Sequence, residues 1–242
     1  MDAIRIEGLS KQYREVLAVD KLSLTIKEGE LFSLLGLNGA GKTTTIKMLS
    51  CLSTPSDGDA YLLDKSILTD SADVKSFIAV SPQESAVAPG LSVRENLELI
   101  CGVHGFSKEK REAKIDELTC LFGLNGILKR KAGKLSGGWQ RRLSIAMALI
   151  SEPKILFLDE PTLGLDVIAR SELWEIIRAL KGNITIILTT HYMEEAEALS
   201  DRIAIMKDGK LLVCDTPDAI KAMTGENSIE NAFIKVVRGN AK

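Results

Sequence analysis

Residues 31–44 have the sequence LFSLLGLNGAGKTT, and this stretch decides the fold. Residues 31–35 are almost all apolar, which is typical of a β-strand buried on both faces. Residues 36–43 fit the pattern G-x-x-x-x-G-K-[ST], and the apolar spacing from Ile46 onward predicts a helix. A strand, a glycine-rich turn and a helix N-terminus in this order bind phosphate, because backbone N–H groups and the helix dipole converge on anionic oxygens. The stretch therefore predicts an α/β nucleotide-binding fold.

Each residue type in this loop has an expected chemical task. The glycines let successive N–H groups face the phosphate oxygens, Lys42 can reach the β and γ phosphates, and the Thr43 hydroxyl can join a magnesium shell. An ordinary glycine-rich turn is the alternative, and the strand–turn–helix context argues against it. The predicted phosphate-binding residues are Asn38, Gly39, Ala40, Gly41, Lys42, Thr43 and Thr44.

Composition and charge exclude several other classes of protein. The chain has 242 residues, which allows one large domain or one domain with a sizeable insertion. Its 31 basic and 33 acidic residues give a net charge of -2, which offers no general attraction for nucleic acid or an anionic membrane. The longest apolar runs, 155–158 and 184–188, are far below the roughly 18 residues of a membrane span. The four cysteines are scattered without a CxxC pair, so we expect buried free thiols.

The predicted secondary structure changes twice along the chain. Residues 3–36 predict short strands, residues 84–151 predict a helical insertion, and the remainder alternates strands with helices. Ser92 followed by Glu95 is a capping-box pattern that should begin a helix, and His104 is expected in a surface loop at a helix end. Alternating strands and helices indicate a parallel sheet covered on both faces. Sites in such sheets lie at the carboxyl ends of the strands.

Polar residues follow two of these predicted strands. Asp159 and Glu160 end the strand 155–158, and His191 closes the strand that begins near residue 184. We expect Asp159 at the tip of a neighbouring parallel strand to be a second magnesium ligand, usually through water. Glu160 could then polarise a water in line with the γ-phosphorus, and His191 could hydrogen-bond a terminal phosphate oxygen. Each residue alone would more often be structural, but two strand ends beside a phosphate loop indicate a catalytic site.

The order of three motifs resembles a known family. LSGG at 135–138 could by itself be an ordinary helix cap, but here it stands between the phosphate loop and ILFLDE at 155–160. Together these motifs resemble the ATP-binding subunit of an ABC transporter over nearly the whole chain. The resemblance implies an α/β P-loop NTPase core with a mostly parallel sheet, an antiparallel β subdomain at the N-terminus and an inserted α-helical subdomain. It also implies one domain over residues 1–242, with a nucleotide-binding core at 1–83 and 152–242 and a helical subdomain at 84–151.

The resemblance assigns further site residues. In that family an aromatic residue at the place of Tyr13 stacks on adenine, and a glutamine at the place of Gln83 links magnesium and the attacking water to the membrane partner. The remaining nucleotide contacts would come from a second subunit in a head-to-tail dimer, in which two ATP molecules lie between the subunits. The residues that would reach across the dimer interface are Ser136, Gly137, Gly138 and Asp166. Gln83, Glu160 and His191 would be catalytic, and Thr43, Gln83 and Asp159 would hold Mg²⁺.

Two positions depart from the common family pattern. Trp139 stands where many members have glutamine, so the polar role of that side chain is absent or passes to Gln140. Leu37 occupies a loop position that is commonly proline, and backbone binding of phosphate should survive this change. Neither change touches the predicted catalytic residues, so we expect an active ATPase.

Within the family, residues 38–44, 189–197 and 228–233 look most like the stand-alone subunits of the drug, sodium and lipid exporter branch. That likeness implies ATP and Mg²⁺ as cofactors and a separate polytopic permease that meets residues 84–106. It also implies a second copy of the chain or a homologous ATPase subunit, with no nucleic acid. The chain would be cytoplasmic, held at the inner face of the membrane by its partner.

Three other classes of protein share part of this pattern. A regulatory GTPase needs a guanine-reading N-K-x-D or T-K-x-D segment and a D-x-x-G switch, and the sequence has neither. A soluble ABC-type ATPase of DNA repair or translation usually adds coiled coils, zinc modules or basic linkers, and these are missing. It stays the main alternative. A subunit that only binds ATP is disfavoured by the intact Glu160.

Overall fold

The computed structural model describes residues 1–239, which form two β-sheets surrounded by helices. The strands are β1 (Asp2–Tyr13), β2 (Val16–Lys27), β3 (Leu31–Leu35), β4 (Asp57–Leu62), β5 (Lys65–Ser66), β6 (Ile78–Ser81), β7 (Ile155–Asp159), β8 (Thr185–Thr190), β9 (Arg202–Lys207) and β10 (Lys210–Asp215). The helices are α1 (Lys42–Leu49), α2 (Ser71–Phe77), α3 (Val93–Val103), α4 (Lys108–Leu121), α5 (Gly137–Leu149), α6 (Val167–Leu180), α7 (Met193–Leu199), α8 (Pro217–Thr224) and α9 (Ile229–Val237). Two short 3₁₀ turns, Asn125–Ile127 and Ala132–Lys134, precede α5.

The two sheets differ in strand direction. The first has the order β2-β1-β4-β5 and is antiparallel, as expected for the N-terminal part of the chain. The second has the order β10-β9-β3-β8-β7-β6, and only β10 runs antiparallel to its neighbour. This arrangement confirms the predicted α/β fold with a mostly parallel core sheet.

One detail of the predicted sheet is wrong. We expected Asp159 on a strand next to the phosphate-loop strand, but β8 lies between β3 and β7 and pairs with both. All three strands are buried on both faces, so their hydrophobic patterns do not distinguish a central position from a flanking one. The consequence for the site is that the β8 end, which leads to His191, stands between the phosphate loop and Asp159.

The core sheet is buried on both faces, as predicted. Leu156 and Leu158 of β7 pack into the apolar cluster formed with α3–α6, whereas Ile155 and Phe157 pack into the cluster shared with the antiparallel sheet and α1. Successive side chains of a strand point to opposite faces, so both sets are buried at once. A third cluster joins β9 to α7–α9. These layers hold the carboxyl ends of the parallel strands at one common edge.

The helices between β6 and β7 begin as the sequence indicates. The Ser92 hydroxyl accepts the Glu95 N–H at 3.2 Å, and Glu95 Oε2 accepts the Ser92 N–H at 2.6 Å, which confirms the capping box at the start of α3. His104 ends that helix and is exposed, as expected. Only one thiol, that of Cys101, is fully buried, and Cys120 is exposed because it lies off the apolar stripe of α4. Within residues 1–239, no helix combines the length and the apolar character that a membrane span requires.

Candidate active site

The loop between β3 and α1 depends on glycine at defined positions. Gly39 and Gly41 have φ angles of 84° and 99°, in the left-handed region that favours glycine. A Cβ added to Gly41 would lie 2.5 Å from the Ala18 carbonyl oxygen, and one added to Gly36 would lie 2.6 Å from the Met206 carbonyl oxygen. The loop is therefore closely packed against β2 and β9, and α1 begins directly after it at Lys42.

Lys42 places a buried ammonium group inside this loop. Its Nζ donates to the Gly36 carbonyl at 2.8 Å and lies 3.3 Å from Oε1 of Glu160. Both side chains are less than one-tenth exposed, so the attraction between their charges is only weakly screened by water. The ammonium is thus held between the phosphate loop and the end of β7.

Thr43 and Asp159 bring two oxygen ligands together. The Thr43 hydroxyl donates to Asp159 Oδ1 at 3.1 Å, although the two residues are 116 positions apart in sequence. The Thr189 hydroxyl donates to the same carboxylate oxygen and accepts the Glu160 N–H at 3.0 Å. Thr189 was not predicted as a site residue. Its position at the end of β8, two residues before His191, was the signal that could have found it.

Glu160 stands at the end of β7 in an unusual backbone conformation. Its φ is 45°, in the left-handed region that costs a non-glycine residue free energy and that occurs often at functional sites. His191 Nδ1 lies 2.7 Å from Glu160 Oε2. A carboxylate can only accept, so Nδ1 is the donor in this contact. The His191 ring also packs against the Tyr192 ring, with 4.1 Å between centroids.

A cleft of about 760 Å³ opens above these groups. Ten predicted site residues line it, and all of them come from the phosphate loop or the strand ends: Asn38, Gly39, Ala40, Gly41, Lys42, Thr43, Thr44, Gln83, Glu160 and His191. Five other residues complete the lining, namely Val16, Leu17, Ala18, Leu163 and Asp208. Apolar residues at a strand start and an aspartate in a turn match no motif, so sequence reasoning missed them.

Six other predicted residues do not line the cleft of their own chain: Tyr13, Ser136, Gly137, Gly138, Asp159 and Asp166. Asp159 is buried, and the Thr43 hydroxyl that it contacts lies between it and the cleft. Tyr13 ends β1 and pairs with Val16 across the hairpin, so it lies next to the cleft-lining segment and is half-exposed. Ser136 is the exposed N-cap residue of α5. Asp166 caps α6, because its Oδ1 accepts the N–H groups of Ile168 and Ala169 at 3.0 and 2.9 Å.

Trp139, which stands where glutamine was expected, contacts an arginine of its own helix. The Arg142 guanidinium lies 4.7 Å from the Trp139 ring centroid, which is a cation–π contact within α5. Gln140 Nε2 donates to the carbonyl oxygens of Ala132 at 3.1 Å and Leu135 at 3.2 Å. Gln140 therefore fixes the main chain that leads into Ser136.

The oxygen ligands at this edge fit Mg²⁺. The described residues, 1–239, contain no group of three or more His, Cys, Asp or Glu side chains that could cage a metal. Mg²⁺ needs no such cage, because it usually takes one or two protein oxygens and completes its shell with water and substrate phosphates. The hydroxyl of Thr43 and the carboxylate of Asp159 are hard oxygen donors of this kind.

Together, the phosphate loop, the hydroxyl–carboxylate pair and the carboxylate beside Lys42 define a P-loop nucleoside triphosphatase. The family model described as "ABC transporter" matches residues 19–163. The chain is 38% identical over 229 residues to the daunorubicin resistance ATP-binding protein DrrA3 of Streptomyces coeruleorubidus, and the match covers 94% of this chain and 72% of that protein.

Two solved structures have the same architecture. One is the ATP-binding subunit of an ABC transporter, with a TM-score of 0.85, 27% identity and coverage of 97% of this chain and 99% of that chain. The other is the ATP-binding cassette MJ0796, solved as a dimer in a post-hydrolysis state bound to ADP and Pi. Its TM-score is 0.78 at 27% identity, and the match covers 88% of this chain and 98% of that chain.

The chain belongs to the ABC transporter family. It is an ATP-binding, ATP-hydrolysing subunit that powers transport, and stand-alone subunits of this family dimerise and work with a membrane permease. A soluble ABC-type ATPase of DNA repair or translation, the main alternative, is not favoured.

Proposed function

We propose that this chain is the motor subunit of an exporter and hydrolyses magnesium-ATP with Glu160 as the general base. The observation that carries the proposal is the convergence of Lys42, Glu160 and His191 at one edge of the core sheet, beside the Thr43–Asp159 pair. Those residues come from the phosphate loop and from two different strand ends. They provide a cation for phosphate, oxygens for a metal ion and a carboxylate for a proton.

In this proposal the loop N–H groups and Lys42 bind the β and γ phosphates. Thr43 and Asp159 would hold Mg²⁺ together with Gln83, which lines the cleft with Thr43. When bound, the ion would neutralise charge on the phosphate oxygens. Tyr13 stacks on adenine from the hairpin beside Val16, which supplies part of the cleft wall.

The Lys42–Glu160 ion pair indicates how the base becomes available. A bound triphosphate carries more negative charge than one carboxylate and competes for the Lys42 ammonium. Glu160 Oε1 would then be able to accept a proton from the attacking water. His191 holds Oε2 at 2.7 Å and so fixes the orientation of the carboxylate.

We assign Ser136, Gly137, Gly138 and Asp166 to the ATP bound by a second subunit, which is another copy of this chain or a homologue. Three features favour a head-to-tail dimer. The Ser136 side chain makes no cap hydrogen bond within its own helix and is exposed. Val167 and Ile168, directly after Asp166, are both more than two-thirds exposed. Gly138 packs against the same segment, because an added Cβ would lie 3.0 Å from Ala169 Cβ.

We further propose that a polytopic permease meets residues 84–106, and that the chain lies at the cytoplasmic face of the membrane through this contact. Gln83 directly precedes this segment, and Leu99 and Val103 form an exposed apolar pair one helical turn apart on α3. We divide the chain into a helical subdomain at 84–151, which carries this contact, and a nucleotide-binding core at 1–83 and 152–242. Export is favoured because the relative from Streptomyces coeruleorubidus is a drug-resistance protein.

The test replaces Glu160 by glutamine. Glu160→Gln removes the base and keeps the shape of the phosphate site, so turnover should fall by about 10² or more while a fluorescent ATP analogue still binds. Light scattering should show an ATP-dependent dimer for this variant. Glu175→Gln, an exposed residue of α6, is the matched control and should turn over ATP like the unmodified chain.

The same variant identifies the partner. Native membranes solubilised with magnesium-ATP and tagged Glu160→Gln should yield a polytopic membrane protein in roughly equal amount. Co-purification of ribosomes or DNA instead would contradict the transporter proposal. Near-normal turnover of Glu160→Gln would contradict the assignment of Glu160 as the base.

A further inference from the structure

Arg141 is a buried cation whose hydrogen bonds go to main-chain oxygens. It is the fifth residue of α5 and is only 3% exposed. Burial lowers the pKa of its guanidinium to about 10. A buried guanidinium must use its donors to offset the loss of hydration, and Arg141 does so with four carbonyl groups.

Two of these carbonyls flank Glu160. Arg141 Nε donates to the Pro161 oxygen at 2.9 Å, and Nη2 donates to the Asp159 oxygen at 2.8 Å. The main chain is therefore held immediately before and immediately after Glu160, whose backbone is in the left-handed conformation.

The other two carbonyls belong to the loop that carries Gln83. Nη1 donates to the Pro82 oxygen and, at 3.4 Å, to the oxygen of Gln83 itself. One planar guanidinium thus joins the end of β6 to the end of β7. Because its five donors have a fixed geometry, movement of one loop changes the contacts made to the other.

The helix that carries Arg141 also presents the residues assigned to the second subunit. Gly138 lies three residues before Arg141, which is about 4.5 Å along the axis of a helix. A helix transmits displacement over this distance as a rigid body. Binding of the second subunit's ATP at Ser136–Gly138 would therefore also displace Arg141.

We infer that Arg141 is a positioning residue that couples the Ser136–Gly138 segment to Gln83 and Glu160 of the same chain. This inference rests on the proposed function. ATP held by the second subunit fixes the position of α5. Arg141 then fixes the positions of the Glu160 carboxylate, which polarises water, and of the Gln83 loop. The base at each site is thereby aligned only when the dimer is closed and the Gln83 loop is in place.

The test compares lysine substitutions at two adjacent arginines of α5. Lysine keeps the charge, but its single ammonium cannot bridge both loops. The matched control is Arg142→Lys, because Arg142 is also buried, at 8% exposed, but contacts neither the Gln83 loop nor the residues that flank Glu160. Its partners are Glu172, the Phe122 carbonyl and the Trp139 ring. For Arg141→Lys we expect kcat to fall at least about 30-fold, with KM and the affinity for a fluorescent ATP analogue within about threefold. Arg142→Lys should keep kcat within about threefold.

A purely structural role for Arg141 gives a different result. In that case thermal stability and ATP affinity would fall together with kcat, and this outcome would overturn the inference. So would normal kcat in Arg141→Lys, or an equal loss in Arg142→Lys. If Glu160→Gln itself turned over ATP normally, the proposed base would be wrong whatever Arg141→Lys did, so the two failures are distinguishable.

A second measurement applies if Arg141→Lys does not fold. Hydrogen exchange on Glu160→Gln, with and without magnesium-ATP, should show residues 80–84, 135–142 and 159–162 gaining protection together at the same ATP concentration. Protection of 135–142 without a change in 80–84 would overturn the coupling. The Glu175→Gln protein, which should turn over ATP like the unmodified chain, serves as the reference in which the ATP-bound dimer does not accumulate.

Discussion

Two clefts lie at opposite ends of the strands in the core sheet. The cleft at the carboxyl ends has a volume of about 760 Å³ and contains the phosphate loop. The cleft at the amino ends is larger, about 1080 Å³, and is bounded by Gly29, Lys154 and Thr185, which precede or begin β3, β7 and β8. The larger cleft has no phosphate loop, so volume does not indicate where the reaction takes place.

The charged groups of the two clefts explain the difference. At the amino ends, Lys114 pairs with Glu117 at 2.7 Å and with Glu152 at 3.1 Å, and both carboxylates are at least half exposed. At the carboxyl ends, Lys42 and Glu160 form a pair that is almost fully buried. Water screens the first set of charges far more than the second. Only the carboxyl ends also present a helix N-terminus and loop N–H groups to an anion.

The largest expected effect on ATP hydrolysis is that of removing Lys42, and the comparison variant removes Lys114 from the other cleft. Lys42→Ala should lower kcat/KM for ATP by about 10² or more, because it removes a buried cation from the phosphates. Lys114→Ala should change it by less than about twofold, because it breaks only surface ion pairs. Steady-state ATP hydrolysis measures both variants, and thermal unfolding verifies that each is folded. Equal losses would mean that the two clefts do not differ in the way we describe.

Local signals made much of the carboxyl-end site predictable from sequence. The loop at 36–44 combines glycines, whose backbone geometry exposes N–H groups, with a lysine and threonines that supply an ammonium and hydroxyls within nine residues. Asp159, Glu160 and His191 each follow an apolar strand, and parallel strands bring their carboxyl ends to one edge. The capping box at Ser92 was predictable for the same reason, since both partners lie within one helical turn.

Features that depend on long-range packing could not be predicted. Nothing in three equally apolar strands indicates that β8 separates β3 from β7. Arg141 binds carbonyl oxygens, which every residue possesses, so no side-chain pattern marks its partners. Thr189 is marked by its place at a strand end near His191, but its bond to Asp159 spans 30 positions, and the sequence does not indicate that partner. The residues assigned to the second subunit lie outside the cleft of one chain, where only the family resemblance could suggest a role.

A carboxyl group beneath the carboxyl-end cleft should give a stability effect of intermediate size. Glu195 is fully buried, and its Oε1 accepts from the Thr162 hydroxyl at 2.8 Å and from Trp174 Nε1 at 3.0 Å. Its Oε2 has no hydrogen-bond partner among the described residues. Burial raises the pKa of this carboxyl group above its ordinary value. The folded protein therefore holds the proton more tightly than the unfolded chain, and stability falls as pH rises above the unfolded pKa of about 4.3.

Glu195→Gln should remove this pH dependence while keeping an acceptor for Thr162 and Trp174. We expect the free energy of unfolding of the variant, relative to that of the unmodified chain, to increase between pH 5 and pH 8 by an amount on the order of 1 kcal/mol. Glu194→Gln is the matched control, because Glu194 is exposed and pairs with Arg170 on the surface. If the stability difference between the Glu195 variant and the unmodified chain were the same at pH 5 and pH 8, this result would contradict the raised pKa.

The smallest effect on stability is expected at the amino-end cleft, where the pKa of a carboxyl group is shifted in the opposite direction. Hydrogen bonds from Lys114 and Lys110 lower the pKa of Glu152. A lowered pKa contributes stability above the unfolded value, and that stability is lost as pH falls through the folded value. Because Glu152 is half exposed, the contribution should be no more than about 1 kcal/mol.

Glu152→Gln should therefore lower the melting temperature by no more than about 4 °C at pH 7 and low salt. The difference should shrink at pH 3 and again in 0.5 M salt, because protonation and screening each remove the attraction to Lys110 and Lys114. ATP turnover should not change. If the melting difference instead grew as the pH fell, the ion pairs at the amino-end cleft would not be the source of its stability. With Glu195→Gln, this variant would show that burial and pairing shift two carboxyl groups of one molecule in opposite directions.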